Sequence, residues 1–175
     1  MARLRWMLGA DNLARDRHPL EGVIVDPVYR LTAIEEVKAL KARYFRFLDT
    51  KDWAGFAGLF TADAAMDVSG EMRARADDDG VIRGNDEIAA FVRAAVGDVQ
   101  TVHHGHTPEI DILSPGRATA VWAMEDVLRW PDGAPIRSLH GYGHYDETYE
   151  NGGDRWRIAS TRLTRLRVDV EMAGD

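Results

Sequence analysis

The chain has 175 residues, a formal net charge of −7 and 45% hydrophobic residues. That length fits one domain with a substantial core. The acidic balance excludes the basic surface that nucleic acid or an anionic membrane requires. Cysteine is absent, which excludes disulfides, thiol catalysis and cysteine-ligated zinc.

Residues 1–31 read as an N-terminal arm, either loose or packed on a neighbouring subunit. They show no sustained period and contain Pro19, Gly22 and Pro27. The apolar run at 6–10 is too short for a signal peptide and ends at Asp11. No stretch approaches the roughly 20 apolar residues of a membrane helix. The expectation is a cytoplasmic protein. Val23, Ile24 and Val25 suit an edge strand.

The main domain is expected over 32–170, with a short tail at 171–175. Thr32 and Glu35 form a capping-box pattern. Ile34, Val37, Leu40, Tyr44, Phe47 and Leu48 then recur at helical spacing. This helix should end near Thr50. Asp52 can cap a short second helix holding Trp53, Phe56, Leu59 and Phe60. A strand is expected over 65–68, followed by a polar loop over 70–84. Asn85 or Asp86 opens a third helix that closes at Gly97.

From Gln100 the pattern becomes strands, near 100–113, 117–130, 136–150 and 155–170. Their connections carry turn residues: Ser114-Pro115-Gly116, Pro131-Asp132-Gly133 and Asn151-Gly152-Gly153. Helices first and strands afterwards predict an α+β fold. Its N-terminal helices should pack on a long, curved antiparallel sheet forming a cone-shaped barrel with an interior pocket.

Several ionisable residues stand out. Asp49 ends the first helix, where its charge opposes the helix dipole. It is either solvated or turned inward to orient a base. His103, His104 and His106 open a strand, with His104 and His106 on one face and His103 on the other. They suit a metal site, a general base with solvated neighbours, or structural hydrogen bonds. Asp126 falls in the apolar row Ala118, Ala120, Trp122, Met124 and Leu128, so it is buried with a partner such as an arginine or lines a pocket. His144 lies among Gly141 and Gly143, which suggest a bulge or a close backbone approach. Arg155, Arg157, Arg162, Arg165 and Arg167 make the last strand basic, and one of them could serve an anionic substrate group.

The strings Tyr44-Phe45-Arg46-Phe47-Leu48-Asp49, Asp52-Trp53 and Leu59-Phe60-Thr61-Ala62-Asp63-Ala64 resemble the opening of SnoaL-like domains of the nuclear-transport-factor-2-like superfamily. The likeness extends through Gly84-Asn85-Asp86-Glu87-Ile88, 103–110, 118–122 and Trp156-Arg157-Ile158. Within that superfamily the pattern is most similar to the bile acid dehydratases, with scytalone dehydratase and hexachlorocyclohexane dehydrochlorinase as relatives. The resemblance implies a cofactor-independent, metal-independent lyase with Tyr44, Asp49, His103 and Asp126 as its catalytic residues. His103 would remove a proton, Asp49 would orient it, Tyr44 would donate a hydrogen bond to an oxygen, and Asp126 would assist the leaving group. His144, Arg165 and Trp122 are the substrate-binding candidates, with Arg162 competing for the arginine position. The implied partner is a small hydrophobic substrate, a polycyclic or aromatic hydroxy-carbonyl compound. A homodimer or homotrimer is expected. The same fold hosts isomerases, cyclases and non-catalytic modules such as dioxygenase small subunits, so these readings stand beside the lyase.

Overall fold

The computed structural model describes residues 25–69 and 80–174. Helix α1 spans Pro27–Asp49 and α2 spans Trp53–Ala57. Strands β1 (Phe60–Asp67) and β2 (Val81–Arg83) precede helix α3 (Asn85–Val96). Strands β3 (Gln100–Gly105), β4 (Glu109–Ser114), β5 (Arg117–Arg129), β6 (Ile136–Asn151) and β7 (Trp156–Met172) follow. Residues 23–24 of the expected strand and 70–79 of the expected loop lie outside the described residues, while β2 occupies 81–83 of that loop.

Helix α1 begins at Pro27 rather than at Thr32. Asp26 is the N-cap, and its carboxylate accepts from the backbone N–H groups of Val28 and Tyr29 at 3.0 Å. Proline at the first helical position completes the start signal. Thr32 instead donates back to the Val28 carbonyl at 2.9 Å, and Glu35 pairs with Lys38 at 2.7 Å. At the other end the helix stops where expected, with Lys51 at φ 60° in the turn that follows. Asp52 caps α2 as its sequence predicts. Gly97 closes α3 in a right-handed conformation, and a Cβ there would lie 2.7 Å from the Arg93 carbonyl oxygen.

The sheet runs in the order β2-β1-β7-β6-β5-β3, with β4 also paired to β5. Among the described residues its two ends do not join, so the cone is an open, curved sheet. Short turns make β5, β6 and β7 an antiparallel meander. The sheet is mixed, however, because β1 pairs parallel to β7. No hairpin links those two strands, so nothing in the local sequence fixes their relative direction. The strand expected over 100–113 is broken into β3 and β4 around Pro108, which has no N–H to give a ladder.

Alternation along β5 buries Ala118, Ala120, Trp122, Met124, Asp126 and Leu128 on the inner face. Ala33, Val37, Leu40, Tyr44 and Leu48 of α1 are also buried in the core cluster. Lys41 sits in the middle of this helical stripe. Its Nζ lies 2.6 Å from Glu147 Oε1, and both side chains are 0% exposed. Thr161 and Tyr149 donate to the same carboxylate, and Trp122 Nε1 donates to the Tyr149 hydroxyl at 2.9 Å. The ammonium faces the rings of Tyr44 and Tyr145, 4.0 and 3.6 Å from their centroids. Burial pushes the Lys41 pKa down, against the opposing pull of Glu147. Removing one partner from such a pair costs about 3–5 kcal/mol, because the other charge is left buried alone.

Candidate active site

Asp49 reaches the sheet because α1 ends beside β3. Its Oδ1 lies 2.6 Å from His103 Nδ1, and its Oδ2 accepts from the His103 backbone N–H at 2.9 Å. One carboxylate therefore holds both the ring and the backbone of the same residue. Thr101 donates to Oδ1 at 2.9 Å, and Lys51 donates to the Thr101 hydroxyl at 3.0 Å. Burial raises the Asp49 pKa, but the hydrogen bonds and charge of His103, with help from Thr101, outweigh it. The net result lies below the ordinary carboxylate value. An ionised carboxylate only accepts, so Nδ1 carries the ring proton and neutral His103 has its lone pair on Nε2. Phe45 lies parallel to the imidazole at 6.3 Å. A Cβ at Gly105 would come within 2.6 Å of Phe45, so glycine leaves the room this ring needs.

Register brings the second acid to the same place. His103 is directly opposite Asp126 in the β3–β5 pair, so the two side chains share the inner face. His103 Nε2 and Asp126 Oδ2 are 4.0 Å apart. Asp126 is 2% exposed and accepts two parallel bonds from Arg165, at 2.7 and 2.8 Å. That pair crosses strand β6 above Gly141. A Cβ on Gly141 would stand 2.2 Å from Arg165 Nη1 and 2.4 Å from Asp126 Oδ1. At Gly143 the β6–β7 register shifts, and a Cβ would meet the Thr164 carbonyl oxygen at 2.1 Å. The close approach expected of these glycines is therefore present at both.

A cavity of about 140 Å³ opens onto this group. Tyr44, His103, Asp126 and Arg165 contribute to its wall, together with Leu48, Met66, Phe91, Val92, Leu128 and Leu163. Five of the sequence candidates thus come together, since Asp49 joins through His103. Two do not. The Trp122 indole lies on the inner face, but its N–H is taken by Tyr149 and it does not line the cavity. His144 pairs across from Ala123 and Thr164 on the outer face, the opposite side from Tyr145. Neither side chain stands in the cavity wall. Arg162 also faces outward, 3.5 Å from Asp67, which leaves the arginine position to Arg165.

The remaining histidines form a separate outer cluster. His140 lies 2.9 Å from Glu125, with His106 and His104 at 3.7 and 3.8 Å. The hydrogen bond from His140 leads in holding the Glu125 carboxyl below its ordinary range. Among the described residues no group of three or more histidines or acids is arranged to hold a metal ion. Thr101, Lys51, Lys41 and Glu147 were missed from sequence. Strand parity would have found Thr101 beside His103, whereas the burial of Lys41 depends on Glu147, far away in sequence.

A SnoaL-like domain profile matches residues 29–162. The chain belongs to the SnoaL-like family. A Gibberella zeae protein that carries a cyclase name is 26% identical over 133 residues, covering 74% of this chain and 89% of the relative. The hexachlorocyclohexane dehydrochlorinase of type 3 from Novosphingobium barchaimii has the same fold, with a TM-score of 0.71 at 16% identity over 86% of this chain and 97% of that one. A Novosphingobium aromaticivorans protein named for scytalone dehydratase superposes with a TM-score of 0.68 at 18% identity, covering 81% and 89% of the two chains. The two solved structures share the fold of this SnoaL-like domain. Among the described residues, no helix of the domain is long and apolar enough to cross a membrane.

Proposed function

We propose that the chain is a cofactor-independent lyase that eliminates water from a hydrophobic hydroxy-carbonyl substrate. The observation that carries this reading is the 2.6 Å contact between Asp49 and His103 Nδ1, with the His103 ring in the wall of a largely apolar cavity. His103 Nε2 accepts the proton from the carbon next to the carbonyl. The released electron pair forms the carbon–carbon double bond as the carbon–oxygen bond breaks. The departing hydroxide collects a proton from the imidazolium, so water leaves and His103 returns to its neutral form. Asp49 fixes the tautomer, and the ionised Asp126, 4.0 Å from Nε2, favours the transient positive charge. Held by Arg165, Asp126 acts by its charge and not as a proton donor. Tyr44, in the cavity wall, is the candidate donor to the substrate oxygen.

Incubation with a panel of cyclic β-hydroxy ketones, read by mass spectrometry, tests this. Loss of water should occur with the wild type and fall about 10²–10⁴-fold in His103→Ala, the usual contribution of a general base. A bound β-hydroxy ketone that is never dehydrated would sink the reading. The cyclase name of the Gibberella zeae relative favours one alternative, a ring closure or isomerisation by the same base. Its product would keep the mass of the substrate.

A further inference from the structure

We propose that the cavity selects a neutral substrate whose enclosed part is a single six-membered ring, an inference that rests on the elimination reading above and narrows it. The space beside His103 measures about 140 Å³. An engineered apolar cavity of about 150 Å³ in another protein encloses one benzene molecule. Phe91 and Val92 on α3, Leu128 on β5 and Leu163 on β7 bound the space, so a second fused ring must displace a wall or stay in the mouth. This is a narrower class than the polycyclic or aromatic compounds that the family resemblance suggests.

The charges in the wall argue for neutrality. Among the described residues, each acidic or basic side chain that lines the cavity already faces an opposite or hydrogen-bonding partner. Asp126 holds Arg165 through two bonds, Asp67 lies 3.5 Å from Arg162, and His103 is held by Asp49. Lys41 is spent on Glu147 and does not line the cavity. A carboxylate or phosphate entering here would lose its water without gaining an unbalanced cation, which is costly. A ketone or hydroxyl loses far less.

The test reads binding at the site itself, through the imidazole Cε1–H resonance of His103 in the full chain. The probes are phenol, 2-naphthol, benzoate and a steroid ketone. Phenol should shift the resonance saturably. The two larger neutral probes should bind at least about tenfold more weakly, the discrimination a small pocket misfit supplies. Benzoate should be weaker by roughly 100-fold or more, because its charge is buried unpaired. Phe91→Ala should narrow or reverse the gap between 2-naphthol and phenol. Equal or tighter binding of the steroid or of benzoate, no shift with phenol, or an unchanged ratio in Phe91→Ala would each overturn the proposal. Binding does not depend on turnover, so the two ideas fail separately. Single-ring ligands that bind while no hydroxy ketone is dehydrated would remove the elimination reading and leave the size limit. Dehydration of a steroid would do the reverse.

Discussion

At the scale of the residue, Asp49 is the group whose protonation matters most for the site. Its pKa is lower folded than its unfolded value of about 3.9. The stabilisation it supplies is thus complete above about pH 4 and is lost as pH falls through the lowered folded value. Asp49→Asn should be less stable than the wild type at pH 7, and the gap in unfolding free energy should close as the buffer is taken below about pH 4. Urea titrations of both proteins across that range measure it; a gap that stays constant would show that the carboxylate is not held as described. In turnover, Asp49→Asn should lower the rate without unfolding the protein. The double variant with His103→Ala should lose little beyond His103→Ala alone, because Asp49 acts through that ring. His104→Ala and His106→Ala, on the outer face, should cost far less.

At the scale of the element, strand β6 shapes the site by what it omits. Gly141 leaves a gap through which Arg165 reaches Asp126, and Gly143 admits the backbone of β7. Alanine at 141 meets the ends of the paired Arg165 and Asp126 side chains, whereas alanine at 143 meets a backbone carbonyl that cannot turn aside. Gly141→Ala should cost about 1–3 kcal/mol, the usual range for overpacking, and Gly143→Ala should cost more. Chemical denaturation gives the order, and the reverse order would contradict the geometry. Much of this was legible in the sequence. Turn residues located the meander, helical spacing found α1 and α3, and alternation put Asp126 on the buried face with Trp122. Parity along β6 alone separates His144 from Tyr145. The same parity would have turned Glu147 inward, on the side of Gly141, Gly143 and Tyr149. Lys41 was hidden for a different reason. A lysine in a helical stripe ordinarily lays its stem on the core and its charge in water, and only a long-range partner, Glu147, reverses that. The parallel pairing of β1 with β7 has no local signature at all.

At the scale of the whole molecule, the outer face of the sheet still carries apolar surface. Val102 and Val127 are direct partners in the β3–β5 register and are 48% and 39% exposed. Beside them stands the Glu125 cluster with His104, His106 and His140. A dimer or trimer joined through this face is the expected assembly. Light scattering on the full chain should report more than one copy, and Val127→Glu should shift it toward the monomer. A stable monomer at high concentration would remove this expectation. The mixed sheet has a further consequence, for how the molecule comes into being. Phe60 pairs with Ile158 and Asp67 with Arg162, so β1 waits for β7. Synthesis delivers the chain from its N-terminus at roughly 5–20 residues per second. Throughout that interval β1 and β6 each present an unpaired edge, the kind of surface that recruits other chains. His103 and Asp49 can meet early, but Arg165 arrives with β7, and with it the counter-ion of Asp126. During synthesis the cavity therefore cannot gain its full charge balance until β7 has emerged, and a chain truncated before residue 156 would carry the base without Arg165.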